Sequence, residues 1–526
     1  MRRLFANLLA HTLVMLALAV APAGAVRAAA PGLPSHNVAW LSAAADADID
    51  QAFAAARAQD KPLLLYWGAS WCPPCNQLKA TLFNRQDFAL QARSFVAVHV
   101  DGDRPGAQRL GQRFKVSGYP TLVLFDARGV EITRLPGEVD PPQVLALLQL
   151  GMAGGRPVKA VLADAQAGRA LSASEWRLLA FYSWGGDDGQ LVSAQDLPAL
   201  LVKLAVASPA SDQETKTRLW LMALAASDDG KGVKPDAALR ERVRRLLADA
   251  AAVRRYMDLI GSNAAALVRV LASEGLPEQS AFVPLFDGAL RRLAADTTLS
   301  RGDRQSATIS RIDLARLGFD ESELQVDLPA PLLQELREQA ARDDREITDA
   351  FERQAVIPGW GYALARAGLW QDSDALLKAN LTKSPAPYYL MSQLGSNARK
   401  LGHDDEALRW YRQAFDASVG PATRLQWGSS YLKALIELAP ADTRRIEQTA
   451  SQLLREAARD GAAFEGRSAY SMQRIGRNLM AWNRAGQHDA ALGRLRVQLD
   501  GVCAAVAADG GRRQSCLSLL TAGKPA

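Results

Sequence analysis

The pattern of hydrophobic residues changes near Gly151, and this change limits the folds open to the chain. Between about Asn37 and Gly151, short apolar runs of strand length alternate with helix-like segments. Beyond Gly151 the strand-like runs nearly vanish, and Ala, Leu and Arg recur at the spacing of helices. The sequence therefore predicts a small α/β domain, followed by an all-helical region that fills the rest of the 526 residues.

The first region, residues 37–151, has the order of elements expected of a mixed sheet. A strand–helix–strand unit followed by a hairpin places helices against a sheet that has both parallel and antiparallel pairs. Strands are predicted at 62–67, 95–100, 121–125 and 130–133, and helices at 43–59, 75–83 and 108–114.

The helical region divides into a part without a period and a part with one. Residues 155–350 are predicted only to be helical, whereas several positions between 354 and 500 recur at an interval of 34 residues. The recurring pairs are Gly361 and Gly395, Gly368 and Gly402, and Pro387 and Pro421. This spacing resembles that of tetratricopeptide repeats, which implies stacked helix pairs with an extended concave binding surface.

Residues 1–25 have the three parts of a secretory signal peptide. Arg2 and Arg3 form the charged start, Leu8 to Val20 the apolar stretch, and Ala23-Gly24-Ala25 a cleavage site. No later segment has enough uninterrupted apolar residues to span a bilayer. We therefore expect an exported, periplasmic protein with no stable membrane insertion after the signal is removed.

Charge and composition exclude several other classes of protein. The formal net charge of +6 falls to +4 without Arg2 and Arg3, and this small charge is dispersed, so nucleic-acid binding is not predicted. Hydrophobic residues make up 48% of the chain, which excludes a wholly disordered protein. With four cysteines and five scattered histidines, the sequence predicts no metal site and no cofactor.

The segment Trp71-Cys72-Pro73-Pro74-Cys75 carries the strongest chemical signal. It follows a predicted strand and opens a predicted helix, so Cys72 lies at the positive end of that helix, where a thiolate is stabilised. A thiolate attacks a partner disulfide, and a second thiol resolves the mixed disulfide. We expect Cys72 to be the nucleophile and Cys75 the resolving thiol; a purely structural disulfide or a metal clip is the alternative.

This motif, taken with Val116-Ser117-Gly118-Tyr119-Pro120-Thr121, resembles the thioredoxin fold over residues 37–151. The resemblance implies a cis peptide bond before Pro120, opposite the cysteines, and an extended substrate paired with the backbone of Tyr119. Trp71, Tyr119 and Pro120 are therefore the candidate substrate-binding residues. Thr81-Leu82-Phe83 and Asp87-Phe88 are similar to the subgroup that contains the periplasmic domain of a membrane electron transporter.

One position departs from the thioredoxin pattern. Six residues before the first cysteine, that family carries a buried acid that helps to deprotonate the resolving thiol, and this chain has Tyr66. The basic residue often found nearby has no counterpart at Ala97-Val98-His99. The proton of Cys75 must then go to water or to another group.

Cys503 and Cys516 flank a helix-breaking turn in the segment 501–526. A disulfide between them would staple a C-terminal helical hairpin and stabilise it by roughly 3 kcal/mol. A second redox pair that exchanges with Cys72 and Cys75, or two free thiols, are the alternatives.

These features favour an exported thiol–disulfide oxidoreductase whose helical repeats dock a protein client or partner. Pro73-Pro74 supplies no histidine between the cysteines, which favours a reductase fed by a membrane-bound electron donor over an oxidase or isomerase. A different class is a helical-repeat binding scaffold with a weakly active or inactive thioredoxin-like module, which Tyr66 supports. A copper-handling protein is a lesser alternative, since paired thiolates suit Cu(I) but no Met or His ligands lie near.

Overall fold

The computed structural model describes residues 38–116, 118–137, 140–187, 189–227, 232–272, 276–506 and 511–521. The expected signal peptide at 1–25 lies outside these residues. In the described part of the chain, no helix is both long and apolar enough to cross a membrane.

The first region contains the predicted mixed sheet, with strands in the order β1-β3-β2-β4-β5. β1 and β2 run parallel to β3, whereas β4 is antiparallel to both β2 and β5. β2 and β4 are buried along their whole length because helices cover both faces of the sheet. The strands are β1 (Leu41–Ala43), β2 (Leu63–Gly68), β3 (Val96–Asp101), β4 (Thr121–Phe125) and β5 (Glu131–Leu135).

The three helices predicted for this region are present close to their predicted bounds, whereas the helices at 86–91 and 141–152 were not predicted. The helix after the cysteine motif starts two residues earlier than predicted and changes into a π-helix at Lys79–Phe83. β1 was not predicted, because three residues are too few to show a periodicity. The helices are α1 (Asp46–Gln59), α2 (Pro73–Leu78), α3 (Gln86–Gln91), α4 (Ala107–Arg113) and α5 (Pro141–Met152), with a 3-10 turn at Ala92–Ser94.

The rest of the described chain is helical, as the sequence predicted. Its first half contains α6 (Val158–Gln166), α7 (Ala173–Ala180), a 3-10 turn (Trp184–Gly186), α8 (Leu197–Ala207), α9 (Gln213–Ala225), α10 (Ala237–Ala248), α11 (Ala250–Arg255), α12 (Met257–Leu271), α13 (Leu276–Ala295) and α14 (Arg301–Ala315). α10 and α11 are separated at Asp249, whose carboxylate accepts the backbone N–H groups of Ala251 and Ala252 and so starts a new helix.

The second half of the described chain contains further helices, most of them within residues 354–500, where the repeats are proposed. They are α15 (Ala330–Glu346), α16 (Ala350–Arg366), α17 (Trp370–Asn380), α18 (Pro387–Lys400), α19 (Asp404–Ala417), α20 (Pro421–Leu438), α21 (Thr443–Ala458), α22 (Gly466–Trp482), α23 (Asp489–Ala504) and α24 (Arg512–Leu517). Gly368 and Gly402, spaced by the 34-residue period, follow α16 and α18 with φ of 77° and 75°, a conformation that favours glycine.

The sheet and the helices have separate hydrophobic cores. One core lies between the sheet and α1 and α4, with Trp67, Val98 and Leu110 among its buried residues. The helical region has its own cores, one among α9–α14, one among α14–α17 and one among α19–α24. Each region therefore has a hydrophobic core of its own, in addition to the contacts that join the two regions.

Candidate active site

Three loops meet at one edge of the sheet and form the candidate site. β2 and β3 are parallel, so their ends at Gly68 and Asp101 lie side by side. β4 is antiparallel to β2, and its first residue, Thr121, pairs with Trp67 near the same edge. The cysteine motif after β2, the loop after β3 and Pro120 before β4 are therefore brought together.

Cys72 and Cys75 form a disulfide at the start of α2, with their Cα atoms 5.2 Å apart. Cys72 is the N-cap residue, and the backbone N–H of Cys75 donates to its Sγ over 3.2 Å. Cys72 is 2% exposed and Cys75 is fully buried. The backbone thus offers a hydrogen bond to the Cys72 sulfur, which would stabilise a thiolate there.

The candidate substrate-binding residues lie beside this pair. The Tyr119–Pro120 peptide bond is cis, as the resemblance implied. Trp71 and Tyr119 are in edge-to-face contact, with ring centroids 6.0 Å apart, and both belong to the apolar cluster around the cysteines. Gln108 of α4 donates a hydrogen bond of 2.8 Å to the Tyr119 hydroxyl.

The helical region covers the cysteine pair. Four helices of the proposed repeats contribute side chains at or near their N-terminal ends, and we call these side chains the cover. The cover consists of Gln354 from α16, Tyr388 and Tyr389 from α18, Thr423 and Trp427 from α20, and Arg467 from α22. Tyr388 and Trp427 are buried in one cluster with Cys72 and Cys75, which accounts for the low exposure of the cysteines.

Trp71 is the residue of the sheet domain that the cover holds most closely. Its carbonyl accepts a hydrogen bond of 2.8 Å from Gln354 Nε2, and its ring stacks on Tyr389 at 6.1 Å. The Arg467 guanidinium lies 4.9 Å from the ring centroid, within the range of a cation–π contact. Helices α16, α18 and α22 therefore all contact the residue that precedes Cys72.

Asp103 ties the same edge to α20. One carboxylate oxygen accepts a 2.6 Å hydrogen bond from Trp71 Nε1, and the other accepts one of 2.6 Å from Thr423 Oγ1. Desolvation, with repulsion from the nearby Asp101 carboxylate added, raises the pKa of Asp103 to about 6. An acid that is half protonated near pH 6 thus lies between the sheet domain and the cover.

The position that departs from the thioredoxin pattern cannot act as an acid or base near neutral pH. Tyr66 is fully buried, and desolvation raises the pKa of its hydroxyl far above the ordinary value. His99 stacks on Tyr66 at 5.0 Å, and desolvation, with the Lys79 charge added, lowers its pKa to about 3. Lys79 itself is 5% exposed, and burial lowers the pKa of its ammonium group.

The second cysteine pair is also a disulfide. Cys503 near the end of α23 is joined to Cys516 in α24, and both are fully buried in the core of the last helices. Because α23 begins at Asp489, most of the first arm of this hairpin precedes residue 501. In the described residues, no group of three or more His, Cys, Asp or Glu could hold a metal ion.

Comparison with known proteins agrees with this architecture. Residues 49–151 match the family model described as Thioredoxin-like domain. This segment is a thioredoxin-like domain. The sheet, the cysteine pair at a helix start and the helical region that follows confirm the predicted fold class.

The curated relatives are thiol:disulfide interchange proteins. DsbD 2 of Pseudomonas aeruginosa is 34% identical over 128 residues, which cover 24% of this chain and 22% of that protein. DsbD of Yersinia pestis (strain Pestoides F) is 34% identical over 98 residues, covering 18% and 16%. DsbD of Ralstonia nicotianae is 29% identical over 141 residues, covering 26% and 23%. The chain thus spans about a fifth of the length of these relatives.

The sequence motifs located the cysteines, Trp71, Tyr119 and Pro120, but they did not locate the cover or Asp103. Gln354 is 283 positions from Trp71, and no local pattern relates the two. The position of Asp103 could have been predicted. It follows the end of β3 by two residues, and β3 ends beside β2, which the cysteine motif follows.

Proposed function

We propose that this protein is a thiol–disulfide oxidoreductase that reduces disulfides in protein clients through Cys72 and Cys75. The observation that carries the proposal is the cysteine pair at the start of α2, with the Cys75 N–H directed at the Cys72 sulfur. The similarity of the chain to thiol:disulfide interchange proteins supports the same chemistry.

The exchange has two steps. The Cys72 thiolate attacks one sulfur of the client disulfide, so that the client S–S bond breaks and a mixed disulfide forms at Cys72. The Cys75 thiolate then attacks the Cys72 sulfur, which releases the client as a dithiol and leaves Cys72 and Cys75 oxidised. Two electrons pass from the protein to the client, and a membrane-bound thiol donor would return the pair to the dithiol.

The remaining parts of the proposal concern direction, place and docking. The absence of a histidine between the cysteines favours the reductase over an oxidase or isomerase. Residues 1–25 support export to the periplasm. Contacts of α16, α18, α20 and α22 with Trp71, Asp103 and the cysteine cluster support a role of residues 354–500 in presenting a client or partner to Cys72.

Reduction of insulin by dithiothreitol, followed as precipitation, tests the exchange activity. We expect the mature chain to accelerate the reaction and Cys72→Ser to remove the acceleration. The second candidate function is a helical-repeat binding scaffold with a weakly active or inactive module, which the 2% exposure of Cys72 favours. The scaffold is supported if neither protein, nor any variant that exposes Cys72, reduces insulin.

A further inference from the structure

We infer that the cover determines which disulfides reach Cys72, so that Gln354, Thr423 and Arg467 are specificity-determining residues of the exchange reaction. The inference rests on the proposed function. While the cover lies on Trp71, it keeps the disulfides of other proteins away from the Cys72 sulfur. A client reaches that sulfur only when the cover moves away from Trp71.

The first observation is the burial of the reacting atoms. Cys72 is 2% exposed and Trp71 6% exposed, although both lie at the edge of the sheet domain where a client would have to approach. The side chains that bury them belong to the helical region and include Tyr388 and Trp427. A disulfide of another protein cannot reach the Cys72 sulfur while these side chains stay in place.

The second observation is the chemical character of the contact. Polar groups make many of the links between the two regions, and such contacts are typical of domain interfaces that open. Besides the bonds to Trp71 and Asp103, Gln77 donates to Asp303 Oδ1 over 2.8 Å, and Gln108 Oε1 accepts the backbone N–H of Arg467 over 2.7 Å. These groups can bond to water instead when the regions separate, and each region keeps its own hydrophobic core.

The third observation is that the chain is shaped for this contact. Gly420, directly before α20, has φ of 91° and lies against Asp103. A Cβ atom there would come within 2.7 Å of Asp103 Cβ and 3.0 Å of its carbonyl oxygen. Only glycine therefore allows the start of α20 to approach Asp103 closely enough for the Thr423 hydrogen bond.

The rate of alkylation of Cys72 by iodoacetamide measures the opening directly. The parent protein is Cys75→Ala, in which the Cys503–Cys516 disulfide leaves Cys72 as the free thiol. We expect alkylation in the folded parent to be at least about tenfold slower than in the same chain unfolded in urea. Rates are compared at the high-pH plateau, where a change in thiol pKa has no effect.

Two substitutions weaken the cover without touching the cysteines. Gln354→Ala removes the donor to the Trp71 carbonyl, and Thr423→Val removes the donor to Asp103 while keeping the side-chain shape. Each should raise the alkylation rate by about tenfold, because a lost buried hydrogen bond shifts the opening equilibrium by that order. Both should also raise the rate of insulin reduction when introduced into the chain with both cysteines.

Matched controls come from the helical region itself. Gln393→Ala removes a donor to the Pro358 carbonyl, and Thr308→Val removes a donor to Gln339, and neither bond involves the thioredoxin-like domain. Both controls should alkylate within about twofold of the parent, since they change stability within the helices only. Circular dichroism verifies that all four variants are folded.

The outcomes separate this inference from the proposed function. Alkylation of the folded parent as fast as that of the unfolded chain, or rates unchanged by Gln354→Ala and Thr423→Val, would overturn the role of the cover. Faster alkylation of Gln354→Ala and Thr423→Val, with no insulin reduction by any variant, would support the role of the cover and reject the oxidoreductase activity. Insulin reduction by the wild type that becomes faster in the two cover variants would support both.

Discussion

The two disulfides of this chain are buried to the same degree but lie in different surroundings. Cys72–Cys75 lies where the thioredoxin-like domain meets the helices, beside the polar contacts of Asp103 and Gln354. Cys503–Cys516 lies inside a single apolar core formed by the last helices. Burial therefore does not separate the pair proposed for exchange from the pair proposed as a staple. We propose that they differ in whether the surrounding contacts can separate without unfolding a core.

The largest expected difference between the pairs is in activity. We expect Cys72→Ser to lose essentially all acceleration of insulin reduction, because the remaining thiol of α2, Cys75, is fully buried and is not the N-cap residue. The double variant Cys503→Ser/Cys516→Ser should keep its activity within about twofold. Loss of activity in the double variant at unchanged folding would show that the second pair takes part in the exchange.

The next difference is in stability. Cys503–Cys516 spans 13 positions and Cys72–Cys75 spans three. In the chain-entropy model, removing Cys503–Cys516 should lower the free energy of unfolding by roughly 3 kcal/mol, and removing Cys72–Cys75 should lower it by roughly 2 kcal/mol. Urea unfolding of Cys503→Ser/Cys516→Ser and of Cys72→Ser/Cys75→Ser, each against the wild type, measures both losses. A larger loss at the active-site pair would contradict the assignment of the second pair as the staple.

The last expected effect concerns Asp103, which lies beside the Cys72–Cys75 pair. Its pKa is raised from 3.8 to about 6, so between these values the folded chain holds a proton that the unfolded chain has released. The contribution of Asp103 to stability is thus fully present below pH 3.8 and is lost as the pH rises through about 6. Thermal midpoints of Asp103→Asn and the wild type should therefore diverge over this range, with the wild type falling relative to the variant. Parallel curves would show that Asp103 has an ordinary pKa.

Much of the fold and part of the site could be predicted from the sequence, for identifiable reasons. β2 and β4 are continuous apolar runs, so their strands were predicted to within one residue. Cys72, Cys75 and Pro120 belong to short motifs whose chemistry depends on local spacing. Such features are encoded within a few neighbouring residues.

The cover could not be predicted in this way, because it depends on tertiary packing. Thr423 is 320 positions from Asp103, and its hydroxyl has no feature that indicates a carboxylate partner. The 34-residue period indicated paired helices, but it did not indicate that their N-terminal ends would meet the cysteine motif. The burial of Cys72 therefore became visible only in the structure and could not be predicted from the sequence.

Trapping of clients by Cys75→Ala tests the central claim most directly. Without the resolving thiol, a mixed disulfide formed by Cys72 persists, and mass spectrometry of the linked peptides identifies both sulfurs. The account predicts periplasmic proteins joined through Cys72, and none joined through Cys503 or Cys516. Recovery of the variant without any linked protein, or linkage through the C-terminal cysteines, would contradict it.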